Sequence, residues 1–394
     1  MAEQSLCCGC GTCALVCPVD SIFMVEDDTG FLIPCVDETA CINCGKCADV
    51  CPVLHHENAE YTYHDVYAAY ATDEQTRFLG SSGGMFGVFA RNVIERSGIV
   101  FGAAFDEELK LKCVGAETLQ ELQPLYKSKY LQCDMGDAFF RIKAALDKGR
   151  EVLFVSTPCC VYGLRRFLDK EYENLTTVDF VCHGVPSQNF FDQCKSYIEE
   201  RDGVKISGYQ FRVKKKNGAT PHYYKMEYIT QKGERRESAP RLYTKSPFYL
   251  AFQKYISLRD SCYNCRFSCS NRCSDITIGD FHNIDRYISG IDRFQGVSTV
   301  VVNTEKGAEL WRNSCEKMKY WQMDFKNLIA NSELMCGPTP KPRVRDAFIE
   351  DLKNMSFDAV IKKYMNGKKE WKKDIYYMMP RGLRNLMKKA MGIK

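Results

Sequence analysis

Apolar runs and periodic apolar positions alternate along the middle of the chain in an order typical of strands followed by helices. Strands are predicted at 66–70, 99–104, 151–155, 177–181 and 296–303. Helical spacing of apolar residues follows the first strand over 85–94, and a basic amphipathic helix with Tyr162, Leu164 and Phe167 follows the third. This alternation predicts an α/β layer with its chemistry at the strand ends.

The first fifty-odd residues lack this alternation, and a polar stretch over 53–64 separates them from the rest as a predicted linker. We therefore expect an α+β or α/β multidomain protein. The predicted boundaries are 1–55 for an N-terminal domain, 65–150 and 151–345 for the body, and 346–394 for a basic tail.

Cysteine is the unusual feature of the composition, with 22 residues in a chain of 394. The chain shows no secretory signal and no apolar run long enough to cross a bilayer, which predicts a cytoplasmic protein. In that compartment clustered thiols serve as metal ligands or redox groups more often than as disulfides, and an anaerobic cell suits them best. The net charge of +4 gives no indication of nucleic-acid binding.

Eight of the cysteines form two copies of one motif, C-x₂-C-x₂-C-x₃-C-P, the pattern of bacterial two-cluster ferredoxins. In that pattern the fourth cysteine of each copy binds the cluster of the other copy. The two predicted ligand sets of [4Fe–4S] clusters are therefore Cys7, Cys10, Cys13 and Cys51, and Cys41, Cys44, Cys47 and Cys17. Zinc knuckles are disfavoured, because zinc sites place two ligands close together and then leave a gap.

Six further segments, in this order, carry a resemblance to a known family. They are Ser81-Ser82-Gly83-Gly84, Lys127-Ser128-Lys129-Tyr130-Leu131-Gln132, Ser156-Thr157-Pro158-Cys159, Cys182-His183-Gly184-Val185-Pro186-Ser187, Cys262 with Cys265, and Ser274-Asp275-Ile276-Thr277-Ile278-Gly279-Asp280-Phe281. Over roughly residues 65–330 the chain resembles the coenzyme F420 hydrogenase/dehydrogenase beta subunit family, whose members are FAD-dependent iron–sulfur oxidoreductases.

The resemblance implies FAD and a third [4Fe–4S] cluster in a flavin-binding α/β body. Carried over by position, the third cluster is bound by Cys159, Cys182, Cys262 and Cys265. The positions expected near the flavin are Ser81, Ser82, Gly83, Gly84, Ser128, Lys129, Tyr130 and Gln132.

The sequence also departs from the family pattern. Cys160 replaces the usual Gln, Cys133 the usual Ser, and His282 the usual aromatic residue. Cys269 and Cys273 are additional, and they leave open a local zinc or cluster site formed with Cys262 and Cys265. Cys8 and Cys35 lie outside both motifs and are interpreted as small residues without a special role.

Two functions are consistent with these features. In the first, a low-potential donor such as ferredoxin supplies single electrons through the clusters to FAD, which reduces a small-molecule acceptor; His183 and Asp280 are the candidate acid–base residues. In the second, the chain is a non-catalytic electron-transfer subunit of a larger complex, with coenzyme F420 as one conceivable acceptor.

The C-terminal segment from Lys362 to Lys394 is strongly basic, with eleven Lys or Arg against two acidic residues. Pro380 interrupts it, and apolar residues after the proline share one face of a predicted helix. This segment is a candidate for peripheral membrane binding or for docking an acidic partner, the alternative being a solvated terminal helix.

Overall fold

The structure is a computed structural model that describes residues 1–56, 65–215, 222–291, 295–329 and 332–365, with 375, 379 and 383. The backbone divides into two compact units. The first comprises residues 1–189 and 258–340, and the second comprises 190–257 and 341–394. Most of the basic tail predicted from Lys362 onward, including Pro380, lies outside the described residues.

The N-terminal head is built from two short helices and a β-hairpin: α1 Thr12–Leu15, β1 Ile22–Glu26, β2 Leu32–Val36 and α2 Lys46–Asp49. Each helix begins after a glycine in the left-handed region, Gly11 at φ 79° and Gly45 at φ 78°. A side chain is strained there, so glycine allows the sharp entry into each helix. The head therefore has two similar halves, as its duplicated motif predicts.

The body of the first unit is a mixed eight-stranded sheet in the order β14-β3-β13-β12-β7-β6-β4-β5. Strands β4, β6, β7 and β12 are mutually parallel neighbours, whereas β13, β14 and β5 run antiparallel to their partners. The strands are β3 Asp65–Ala71, β4 Ile99–Phe105, β5 Leu111–Ala116, β6 Val152–Val155, β7 Leu175–Phe180, β12 Ile276–Asp280, β13 Ser298–Val302 and β14 Met318–Met323. All five strands predicted from apolar runs are present, which confirms the α/β body.

Helices connect these strands and bury their apolar faces on the sheet. They are α3 Glu74–Leu79, α4 Met85–Glu95, α5 Ala138–Asp147, α6 Pro158–Leu168, α9 Glu305–Ser314 and α10 Phe325–Ile329. The apolar residues spaced along α4, including Met85, Val88, Phe89 and Val93, are almost fully buried. Packing of such faces against strands is what stabilises short helices in water.

The second unit contains an antiparallel sheet and an aromatic core. Strand β9 pairs with β8, β10 and β11. The strands are β8 Val204–Gln210, β9 Tyr223–Thr230, β10 Arg235–Glu237 and β11 Arg241–Leu242, and the helices are α7 Gln188–Asp202, which begins in the first unit, α8 Pro247–Gln253, α11 Arg345–Asn354 and α12 Phe357–Tyr364. Phe191, Tyr209, Phe211 and Phe248 form edge-to-face and tilted ring pairs at 4.7–5.8 Å.

Short 3₁₀ segments link several of these elements, at Gln123–Leu125, Tyr243–Lys245, Asp260–Asn264, Ile284–Arg286, Cys315–Lys317 and Glu333–Met335. Among the helices in the described ranges, we find none with both the length and the apolar character needed to span a bilayer.

Candidate functional site

Two predicted ligand segments and one predicted acid–base residue meet at one edge of the sheet. Cys159 lies in the first turn of α6, just after β6; Cys182 follows the end of β7; Asp280 is the last residue of β12. Because β6, β7 and β12 are parallel, their carboxyl ends share this edge. In open α/β sheets this is where ligands bind.

A cavity at this edge has seven cysteines in its lining, and we call it the sulfur-lined cavity. Its volume of about 60 Å³ corresponds to only about four water molecules at ~15 Å³ each, so it suits a compact group rather than a flavin. The cysteines in its lining are Cys8, Cys133, Cys159, Cys160, Cys182, Cys262 and Cys265. The four cysteines that the resemblance assigns to the third cluster thus line one cavity.

The electrostatics of these four thiols also show that they are neighbours. Burial raises the pKa of Cys182 well above its usual value, and the thiols of Cys262, Cys159 and Cys265 raise it further. Burial raises the pKa of Cys262 to about 12 and that of Cys265 to about 11, again with contributions from the neighbouring thiols. Thiols in such surroundings ionise readily only when a cation compensates the charge.

The two additional cysteines lie elsewhere. Cys273 is buried in an apolar cluster with residues of α5, α6 and the sheet, and its Sγ donates to the carbonyl of Pro158 at 3.9 Å. Cys269 donates from Sγ to the carbonyl of Asn271 at 3.0 Å. Neither residue belongs to the cavity lining. The geometry therefore favours the set predicted from the resemblance over a local site that includes Cys269 and Cys273.

The head is hydrogen-bonded to the body next to this cavity. Arg259 donates from Nε to the carbonyl of Cys7 at 2.7 Å and from a terminal nitrogen to that of Leu32 at 3.0 Å. The Gln132 amide accepts from the Leu32 N–H at 2.9 Å and donates to its carbonyl at 3.2 Å. A Cβ on Gly9 would lie 2.3 Å from Gln132 Nε2, so glycine permits this close approach.

One predicted ligand set of the head lies close to this contact. Burial, together with the neighbouring thiols of Cys10, Cys7 and Cys51, raises the pKa of Cys13 to about 12. The residue from the second motif, Cys51, is therefore a neighbour of three from the first, as the crossed pattern requires. We call Cys7, Cys10, Cys13 and Cys51 the inner set. Thr12 connects it to α6, because the Thr12 hydroxyl donates to the Gly163 carbonyl at 3.2 Å.

The other predicted set, which we call the outer set, is closer to solvent. Cys44 is exposed, whereas Cys41, Cys47 and Cys17 are half-buried. Ile42, inside the outer loop, is 60% exposed. The outer loop has the same turn as the inner one, with Asn43 at φ 53° where the inner loop has Gly9 at φ 68°.

Three cavity cysteines had no predicted role, and Cys8 is the most informative of them. Cys7 belongs to the inner set, whereas the adjacent Cys8 lines the cavity and contacts the thiols of Cys10 and Cys159. Cys133 and Cys160 line the cavity as well. The only sequence signal for the latter two was their departure from the family pattern; Cys35, by contrast, is exposed on β2.

The positions expected near the flavin fall into two groups, and the first group meets at one turn. Ser81 Oγ accepts hydrogen bonds from the Ser128 N–H at 2.7 Å and from its hydroxyl at 3.0 Å, so its own proton can be donated to a ligand. The Ser82 hydroxyl donates to the carbonyl of Val297 at 2.9 Å. A Cβ on Gly83 would lie 2.3 Å from a backbone oxygen of β3, so this glycine is also required for packing.

The second group is already engaged by protein. Lys129 donates from Nζ to the carbonyls of Pro124 and Tyr126 at 2.6 and 2.7 Å, and burial lowers its pKa to about 7. Gln132 holds the head, and Tyr130 is half-buried. The structure thus brings Ser81, Ser82 and Ser128 together, whereas the Gln132 amide is used in the contact with the head.

The two candidate acid–base residues differ in position. Asp280 is half-buried and pairs in register with Ser298, whose Oγ accepts from the Gly83 N–H at 2.9 Å. Asp280 is therefore beside the Ser81 turn. His183 lies in the loop after β7, where its carbonyl accepts from the Thr339 hydroxyl at 2.6 Å; its neighbours Cys182 and Gly184 line the cavity.

Two family models match this chain, one over the body and one over the head. Residues 149–327 match the model for the C terminus of the coenzyme F420 hydrogenase/dehydrogenase beta subunit. Residues 6–54 match the 4Fe–4S dicluster domain, so the beta-subunit domain carries an iron–sulfur ferredoxin domain at its N-terminal side, as the cysteine spacing predicts.

Among solved structures, one similar chain is part of the F420-reducing [NiFe] hydrogenase complex from Methanosarcina barkeri, in a xenon-derivatised form. The sequences are 16% identical, the alignment covers 69% of this chain and 89% of that chain, and the TM-score is 0.43. Among curated proteins, no similar sequence was found.

Proposed function

We propose that the chain is a cytoplasmic iron–sulfur flavoprotein that transfers electrons from a low-potential donor such as ferredoxin to FAD and then to a small-molecule acceptor. The observation that carries this proposal is the sulfur-lined cavity directly beside the docked ferredoxin domain. A dicluster domain supplies single electrons, and its contact with a second thiol site gives those electrons a destination inside the same chain.

A third [4Fe–4S] cluster fits the cavity. The donor set is four cysteines from three separate segments, Cys159, Cys182 and the Cys262–Cys265 pair. Soft thiolate ligands select iron–sulfur clusters or zinc, and the small volume suits a compact inorganic group. Bound iron would supply the positive charge that lets the thiols of the cavity remain ionised.

The exposure of the two head sets supports an order for them. The outer set includes the exposed Cys44 and adjoins the exposed Ile42, so an external donor can approach it. The inner set is beside Arg259 and Cys8, at the contact with the body. The outer set is therefore the entry point, and Cys8 lies between the inner set and the cavity.

FAD is assigned to the region of the Ser81 turn rather than to the cavity. Ser81 offers a hydroxyl proton at this turn, because its oxygen already accepts two hydrogen bonds from Ser128, and Asp280 lies beside the turn through its register with Ser298. When bound, the flavin supplies the conversion between one-electron and two-electron chemistry. Of the two acid–base candidates, Asp280 has the better supporting geometry.

Anaerobic reconstitution followed by iron, sulfide and flavin analysis tests the proposal. Three clusters correspond to about twelve iron atoms per chain, and we expect one FAD with them. Cys182→Ser should lose about four iron atoms, the content of one cluster, whereas the matched control Cys269→Ser should lose none. Iron loss from Cys269→Ser, or an unmodified chain that binds neither a third cluster nor flavin, contradicts the proposal.

A further inference from the structure

A buried arginine forms part of the wall of the sulfur-lined cavity. Arg272 lies between the two additional cysteines in sequence, and its side chain is 1% exposed. It is nevertheless part of the cavity lining, together with Cys159, Cys182 and Cys265. An arginine keeps its charge even when buried, so the cavity has a fixed positive charge in its wall.

The protein compensates this charge only weakly. The closest anion is Asp179, whose Oδ2 is 3.7 Å from a terminal nitrogen of Arg272. The other contacts are the carbonyl of Phe267 at 3.4 Å and the sulfur of Met335 at 3.6 Å, all longer than a good hydrogen bond. Within the described part of the chain, Nε has no hydrogen-bond partner.

Such an arrangement is costly unless an anion completes it. Burying a guanidinium group without good partners costs several kcal/mol, on the order of the penalty for any poorly paired buried ion. Asp179 compensates it only in part, because its nearest carboxylate oxygen is 3.7 Å from the guanidinium group and makes no hydrogen bond with it. An anionic group bound in the cavity would provide the close hydrogen-bond acceptor that Arg272 lacks.

We propose that Arg272 donates a hydrogen bond to the cluster bound in the cavity and that its charge favours the reduced state of that cluster. This inference rests on the third cluster of the proposed function. A cluster bound there would be anionic, because four thiolates outweigh the positive charge of the iron–sulfur core, and its one-electron reduction would add one more negative charge. A nearby cation stabilises that extra charge and raises the reduction potential.

Asp179 acts in the opposite direction through the same contact. It is fully buried in β7, three residues before Cys182, and its negative charge offsets part of the arginine charge. Arg272 therefore acts directly on the potential of the cluster, and Asp179 acts through Arg272 by reducing its effective charge. Neutralising Arg272 and neutralising Asp179 should therefore shift the reduction potential of the third cluster in opposite directions.

The test is redox titration of the reconstituted full chain, monitored by electron paramagnetic resonance, with iron content measured on each sample. In Arg272→Gln we expect at least a tenfold decrease in the reduced-to-oxidised ratio of the third cluster at a fixed potential, which is about 59 mV for one electron. The two ferredoxin clusters should be unchanged. In Asp179→Asn the third-cluster potential should rise instead.

The control is Arg266→Gln, which removes an exposed arginine from the same cavity lining. Solvent screens its charge, so its shift should be smaller than that of Arg272→Gln. Equal shifts in the two variants, or no shift in Arg272→Gln with full iron content, overturn the role of Arg272.

If Arg272→Gln loses the third cluster, the Asp179→Asn potential decides: a rise supports the inference, and an unchanged value overturns it. The proposed function fails separately. In that case the unmodified chain itself contains about eight iron atoms, the content of two clusters, and no third signal is present.

Discussion

The hydrogen bonds of Arg259 predict how strongly the ferredoxin domain is held on the body. The side chain is 4% exposed, donates to the carbonyls of Cys7 and Leu32, and has its guanidinium 5.4 Å from the Phe31 ring centroid. Hydrogen bonds from a charged donor contribute about 1.5–3 kcal/mol each. Replacing Arg259 by Ala should therefore weaken docking by about 3–6 kcal/mol, even before the loss of ring packing.

The magnitude predicts a large change in local opening. Each 1.4 kcal/mol is about a tenfold change in an equilibrium constant, so the docked state should lose at least about a hundredfold in population relative to the open state. The N–H of Leu32 is a direct reporter, because it is hydrogen-bonded to Gln132 across the contact. Its hydrogen exchange requires the hairpin to leave the body.

The assay is hydrogen–deuterium exchange under native conditions, with mass analysis of a peptide covering the β1–β2 hairpin. We expect much faster exchange in Arg259→Ala, with Gln132→Ala as a second, milder variant. The control is Arg96→Ala, which removes an arginine whose ion pair with Glu151 is exposed and remote from the hairpin. Unchanged exchange of the hairpin in Arg259→Ala would refute the reasoning.

Three further changes test other parts of the structure. Gly83→Ala should destabilise the Ser81 turn by about 1–3 kcal/mol, since backbone atoms block its Cβ, whereas Gly337→Ala, which meets nothing within 4 Å, should be neutral in thermal unfolding. At neutral pH, Asp73→Ala should destabilise α3 by about 1 kcal/mol, which is measured as faster hydrogen exchange of the α3 amides. Hydrogen bonds from Thr76 lower the pKa of Asp73. The stabilisation of α3 by ionised Asp73 is therefore fully present above the ordinary carboxyl pKa and is lost as the pH falls through the lowered pKa. At that low pH, Asp73→Ala and the unmodified chain should no longer differ in stability. Cys8→Ala should retain the iron content but slow electron exchange between head and cavity in stopped-flow measurements, whereas an unchanged rate would exclude a role for this thiol.

Much of the first unit follows from local sequence rules. The cysteine spacing predicts the head because four ligands within eleven residues leave the backbone little choice other than a tight loop. The strands of the sheet centre are buried on both faces, so they appear as continuous apolar runs such as the one around Val300. The position of Cys182 after such a run was enough to place it at the sheet edge.

Other features depend on contacts between distant residues and have no local signal. Cys8 and Cys35 are both extra cysteines of the head, yet one lines the cavity and the other faces solvent. Gln132 belongs to a segment expected near the flavin, but its amide pairs with a strand one hundred residues earlier. The sequence likewise leaves open whether Cys159 and Cys182 or Cys269 and Cys273 accompany Cys262 and Cys265, because Cys269 and Cys273 are close enough in sequence to form a local site.

The second unit was the least predictable from sequence. Its strand β9 does alternate, with Lys225 and Glu227 between Tyr224, Met226 and Tyr228, but a pattern of five residues does not show which strands it pairs with. The tyrosine rings are buried by neighbouring aromatic side chains, for example by the stacked pair of Tyr209 and Tyr224 at 5.4 Å. Such residues combine an apolar ring with a polar tip, so their burial is decided by tertiary packing.

The difference between Gly9 and Asn43 has a consequence for protein engineering. A ferredoxin module taken from another source and grafted onto this scaffold would need glycine at the first of these positions, because any larger residue would strike Gln132. The second position imposes no such demand, as its asparagine shows. The solvent-exposed half of the module is therefore open to redesign, whereas the half that meets the scaffold must be transplanted with its complementary surface.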